Sequence, residues 1–148
     1  MKLLRKTFMS APRDAWESCL PTKDKNWYEF AVLLLMLCSS VVPDARLVPA
    51  MKVIFSRYEM TPEFVLLKFK SDPMFWENEL HDLGRQVSNA ENWVLAAKTT
   101  QLLGRVPRNY TEMMLHYQGV GPKIALVTIH SSYGDVVSIS VENFNSGA

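Results

Sequence analysis

The seven residues Tyr117-Gln118-Gly119-Val120-Gly121-Pro122-Lys123 constrain this chain more than any other stretch. Two glycines and a proline within seven positions break a helix, yet both flanks have helical patterns. Upstream, the segment from Tyr110 to His116 carries Met113, Met114 and Leu115 after a polar start; downstream, Ile124, Leu126, Val127, Ile129 and His130 form a second apolar run. The pattern predicts helix, tight hairpin, helix. Glycines at alternate positions allow φ > 0 and close backbone approach, and Pro122 fits the first position of a helix, where its missing N–H costs nothing. Such a turn presents bare N–H groups, which together with the positive end of the second helix suit a phosphate oxygen. Lys123 falls about one residue into that helix. The dipole there disfavours an ammonium, and burial would disfavour it further, so Lys123 is a candidate neutral amine nucleophile.

The 148 residues fit one domain, and 48% hydrophobic residues supply a core. A net charge of +1 is small for a nucleic-acid binder, so any phosphate-binding patch must be local. Arg85, Lys98, Arg105, Arg108 and Lys123 approach the hairpin in sequence, and nothing after Lys123 is Lys or Arg. Cys19 and Cys38 are too few for a four-thiolate cluster or a structural zinc, and both are read as reduced. The apolar run Phe30 to Val42 falls short of the roughly 20 residues that span a bilayer and reads as a buried central helix. Lys2, Arg5, Lys6 and Arg13 precede the first acid, Asp14, which fits either a mitochondrial presequence or a plain basic arm.

Read in order, Asn26 is a candidate cap for the buried helix, which Pro43 ends, and Asp44 a candidate cap for the next. Thr61-Pro62 starts a short helix through Phe69, and Asp72-Pro73 starts another from Met74 to Leu83, stopped at Gly84. Asn89 is a candidate cap for a helix to Leu103, with Gly104 as its stop. The alternating Val136, Val137, Ile139 and Val141 lack a partner strand, so the tail is expected to be extended or irregular. The expected class is all-α, with seven or eight helices. Its divisions are an N-terminal arm over 1–25, a helical domain over 26–134 with the hairpin at 117–123, and a tail over 135–148.

The hairpin Gly119-Val120-Gly121-Pro122-Lys123, preceded by Leu35-Met36-Leu37-Cys38-Ser39-Ser40, Ala90-Glu91-Asn92 and Gly104-Arg105-Val106-Pro107-Arg108, and followed by Tyr133-Gly134-Asp135, resembles the endonuclease III branch of the helix-hairpin-helix DNA glycosylases from Trp27 to Val141. The resemblance implies a base-excision-repair glycosylase that extrudes a damaged base from duplex DNA, with abasic-site lyase activity on oxidised pyrimidines. Lys123 matches the lysine that attacks the sugar. Gln118, Gly119, Val120 and Gly121 match the hairpin that holds a backbone phosphate. Glu142 stands where the family has an aspartate, one methylene longer, and Val41 stands where it has a glutamine that fills the gap left by the extruded base. Valine can fill space there but cannot pair with a base edge, and a plain core role is the competing reading.

The family's four-cysteine loop and basic C-terminal helices have no counterpart after Val141, so no iron–sulfur cluster, metal or other cofactor is expected. In the family those helices pack beside the N-terminal segment as a second domain. Their lack implies exposed apolar surface near that segment and a protein partner that covers it. Duplex DNA with a damaged or abasic site is the expected partner, with no membrane, and for a eukaryotic chain the nucleus or mitochondrion the expected compartment. Two further readings stay open: a non-catalytic nucleic-acid-binding or structural module of the same descent, and a shortened product of a complete glycosylase.

Overall fold

The structure, a computed structural model, describes residues 16–133. Among these residues it is all-helical: α1 (Tyr28–Ser39), α2 (Asp44–Arg57), α3 (Pro62–Ser71), α4 (Phe75–Glu79), a 3-10 turn (His81–Leu83), α5 (Gln86–Leu103), α6 (Tyr110–His116) and α7 (Pro122–Tyr133). The tail over 135–148, with Val141 and Glu142, lies outside the described residues.

The central helix α1 is apolar on every face, and all residues from Phe30 to Cys38 are buried. A helix without a polar face needs neighbours all round. α5, α7 and α2 supply them. The Trp93 indole N–H on α5 donates to the Leu34 carbonyl at 3.1 Å, tying α5 to the middle of α1. The Tyr28 hydroxyl reaches the Ser131 carbonyl at 3.5 Å, so the start of α1 lies beside the end of α7 and the two run antiparallel. On the other side of α5, Tyr58, Phe64, Phe75, Trp76 and Trp93 form a chain of rings with centroids 4.8 to 6.2 Å apart. The Trp76 N–H within it donates to the Val65 carbonyl at 2.9 Å.

Several expected punctuation marks hold. The Thr61 hydroxyl accepts from the Phe64 amide at 3.0 Å with Pro62 at the first helical position, and Gly104 ends α5 at φ 81°. Others fail for local reasons. Trp27, not Asn26, precedes α1, and Pro43 precedes α2, leaving Asp44 as its first residue without a side-chain cap. Met74 to Leu83 is not one helix, because it breaks at Leu80 into α4 and the 3-10 turn. Asn89 lies inside α5, buried, where its amide reaches back to the Gly84 carbonyl at 3.3 Å and satisfies the helix entry from within. Most of the N-terminal segment beside which apolar surface is expected lies outside the described residues; of its described part Trp16 and Cys19 are buried, and among the described residues Leu102 and Leu115 are the most exposed large apolar side chains.

Candidate nucleic-acid interface

The hairpin begins where Tyr117 leaves α6. Its ring is buried, and its hydroxyl shares a 2.7 Å hydrogen bond with Thr100 Oγ1 on α5. Burial pushes the Tyr117 phenol up from its usual range, opposed by this bond. Gly119 turns the chain at φ 83°, a conformation that a side chain resists. Val120 then plugs inward, 7% exposed. The Gly121 carbonyl accepts from the Ala125 amide at 3.0 Å, which opens α7 with Pro122 first and Lys123 second. Of the two hairpin glycines, only Gly119 has positive φ. A Cβ on Gly121 would meet nothing within 4 Å, so neither conformation nor internal packing explains its bare backbone. That backbone is open to an outside ligand. The first-turn N–H groups of any helix lack intrahelical acceptors, and here they follow directly from this open side.

These positions treat the predicted residues differently. Gln118 and Gly119 are exposed, whereas the Val120 side chain is in the core and offers a ligand only its backbone. Lys123 is exposed, so the sequestration from water expected of its amine is not provided by the described residues. Because α1 and α7 are antiparallel, the end of α1 returns to the level of the hairpin. From Ser131 back to Pro122 is about 13 Å at 1.5 Å per residue, and α1 covers a similar length from Tyr28. Val41, 45% exposed, is therefore at the hairpin end of the bundle and not in the core. The Ser39 and Ser40 hydroxyls donate to the Met36 and Leu37 carbonyls, finishing α1.

The expected basic patch divides. Lys98 lies over the Phe69 ring at 6.0 Å, towards α3. Arg108 stacks on Tyr133 at 4.6 Å, and Arg105 lines a cavity of about 790 Å³ with Trp27, Glu29, Glu63 and Tyr133 at the opposite end of α7 from the hairpin. Burial raises the Tyr133 phenol's pKa, helped by Glu29 and opposed by both arginines. Of that group, Arg85 and Lys123 remain at the hairpin end. Sequence reasoning missed two others there. Arg46, in the first turn of α2, donates to the Leu83 carbonyl at 3.5 Å. The Asn92 side chain lies 3.8 Å from where a Gly119 Cβ would be. Asn92 belongs to the Ala90-Glu91-Asn92 stretch, but no pattern places it against the turn; Gly84 reads only as a helix stop and Arg85 to Ser88 only as a connection.

The described residues thus form an all-helical bundle with a helix-hairpin-helix arrangement, its glycine hairpin feeding the start of the last described helix. No family model matches the chain. It is 30% identical over 131 residues to endonuclease III homolog 2, chloroplastic, of Arabidopsis thaliana, a match that takes in 87% of this chain and 32% of that protein. Its fold matches that of the protein in a structure of a non-covalent endonuclease III–DNA complex with a TM-score of 0.59 at 22% identity, over 90% of this chain and 60% of the other. The chain has an endonuclease III-like fold and is similar in sequence to an endonuclease III homolog, of whose length it spans about a third.

Proposed function

We propose that the protein is a DNA glycosylase of base-excision repair with abasic-site lyase activity on oxidised pyrimidines. The observation that carries this reading is the hairpin itself: Gly119 at φ 83°, the open face of Gly121, and exposed Lys123 in the first turn of α7. A strand phosphate held by the hairpin amides fixes the DNA without reading sequence. Lys123 Nζ, one residue past Pro122, is then close to the sugar of a nucleotide extruded beside that phosphate. As a neutral amine it attacks C1′ while the glycosidic bond breaks, and the base leaves with the bonding electrons and takes up a proton. The attached nitrogen then gives up a proton, the C1′–O4′ bond opens with O4′ protonated, and the sugar is held as a protonated imine. That imine acidifies C2′; removal of a C2′ proton breaks the C3′–O bond, expels the 3′ phosphate and cuts the strand. Glu142 is the candidate carboxylate to steady the positive sugar, and Val41 the candidate space-filling residue beside the orphaned base.

The exposure of Lys123 favours one other reading, a module that binds damaged duplex DNA without cutting it. The two separate in a single assay. The protein is incubated with duplex DNA carrying an abasic site, and borohydride is added. A covalent adduct that is lost in Lys123→Ala establishes the lyase. Retained binding with no adduct assigns the module and removes the enzyme.

A further inference from the structure

We infer that the guanidinium groups of Arg85 and Arg46 form a second backbone-phosphate contact on the hairpin end of the bundle, an inference that rests on the DNA-binding reading above. Among the described residues Arg85 is the only non-glycine with positive φ, at 48°. A side chain in this left-handed region is disfavoured, and glycine would adopt it freely. The preceding residue is indeed glycine, with φ 73°. An arginine held in a conformation that suits glycine marks a position where the side chain has a use outside the fold. The fold makes no visible use of it: Arg85 is exposed, and no carboxylate among the described residues pairs with it.

Arg46 is next to it. Its Nη1 is 3.6 Å from the position of a Gly84 Cβ and bonds the Leu83 carbonyl, so it lies against the residue that precedes Arg85. It too is exposed and without a carboxylate partner among the described residues. Two guanidiniums without a carboxylate partner beside one glycine are a strong local cation on a chain whose net charge is only +1. Planar, multi-donor guanidiniums match phosphodiester oxygens. The spacing fits one duplex. Arg85 precedes Asn92 by seven positions, about 10 Å along α5, and the Asn92 side chain lies beside the hairpin turn, 3.8 Å from where a Gly119 Cβ would be. Strand phosphates advance about 3.4 Å per step along the DNA axis, so about 10 Å is the span of about three nucleotides, within reach of one strand.

The test measures affinity for a duplex containing a tetrahydrofuran abasic analogue by fluorescence anisotropy across a range of salt, with thermal melting in parallel. Arg85→Gly is expected to bind about five- to ten-fold more weakly at low salt. Its salt slope falls by about 0.9, and by about twice that in Arg85→Gly/Arg46→Ala. The melting temperature of Arg85→Gly rises, because the disfavoured side chain has gone. Arg85→Lys keeps most of the slope. Slopes in both variants equal to that of the unaltered protein overturn this inference, and so does a fall in the Arg85→Gly melting temperature, which would give the arginine to the fold. If the unaltered protein binds and traps DNA while those slopes are unchanged, only this inference is lost. If it fails to bind the duplex at low salt, the DNA reading and this inference fall together.

Discussion

Thr100 Oγ1 and the Tyr117 hydroxyl meet at 2.7 Å in the core, joining the last turns of α5 to the residue from which the hairpin departs. Removing one partner leaves a buried hydroxyl to be desolvated for nothing, whereas removing both leaves none. Tyr117→Phe and Thr100→Val are each expected to cost about 1–2 kcal/mol in urea denaturation. The double variant should cost less than their sum by at least about 0.5 kcal/mol. Additive losses would mean that the two hydroxyls are satisfied elsewhere.

The hairpin glycines should separate stability from binding. Gly119→Ala forces a Cβ into φ 83° and is expected to cost about 1–2 kcal/mol, with hairpin-dependent DNA affinity falling alongside. Gly121→Ala meets no atom within 4 Å and needs no unusual φ, so its stability should change by less than about 0.5 kcal/mol. Under the proposed function its affinity for an abasic duplex still drops, because the added methyl stands where a phosphate approaches. Urea titrations and anisotropy on the same two variants check both halves.

The same contrast shows what sequence could and could not convey. Thr61-Pro62, Gly104 and the hairpin were legible because each device acts within four residues: a hydroxyl on an amide, a ring that fixes φ, a missing Cβ. Asn89 was misread because its amide does reach the start of α5, but from inside the helix, while strained Arg85 makes the entry. The scattering of Lys98, Arg105 and Arg108 could not be read either. Proximity in sequence says nothing about which end of an antiparallel bundle a side chain reaches, and only the Tyr28–Ser131 contact fixes those ends. Val41 and Val120 could not be told apart for a related reason: two short valines have the same chemistry, and only the packing of α1 and the hairpin turns one out and one in.

Two buried thiols predict how the fold responds to alkali. Burial pushes Cys19 up to about 11 and Cys38 up to about 12 from 9.0, and in Cys38 the Trp93 side chain partly opposes the shift. The folded state thus holds these protons more tightly than the unfolded chain. Their contribution is complete below about pH 9 and is lost as pH rises through the folded values. Each group withdraws up to about 1.4 kcal/mol per pH unit in that window. The denaturation midpoint should be flat with respect to these thiols from pH 7 to 9 and fall above it, less steeply in Cys38→Ala once its lower starting stability is subtracted. Native protein at pH 8 should react slowly with a thiol-alkylating reagent and label fully on both cysteines in urea.

Trp93 connects the core to the proposed interface. Fully buried, it donates to the Leu34 carbonyl at 3.1 Å, and it stands next to Asn92, whose side chain lies beside Gly119, on the helix whose entry carries Arg85. Trp93→Phe keeps most of the volume and loses the indole donor. The Leu34 carbonyl retains its place in the α1 ladder, so no acceptor is orphaned and the cost should be about 1–2 kcal/mol, against about 3–5 kcal/mol for Trp93→Ala. If α5 is the beam that aligns both phosphate contacts, Trp93→Phe also weakens binding to an abasic duplex at a temperature where circular dichroism shows it fully folded, although the side chain is out of reach of DNA. Unchanged affinity in that folded variant would show that the hairpin keeps its attitude without α5, and that Tyr117 and Val120 suffice to hold it.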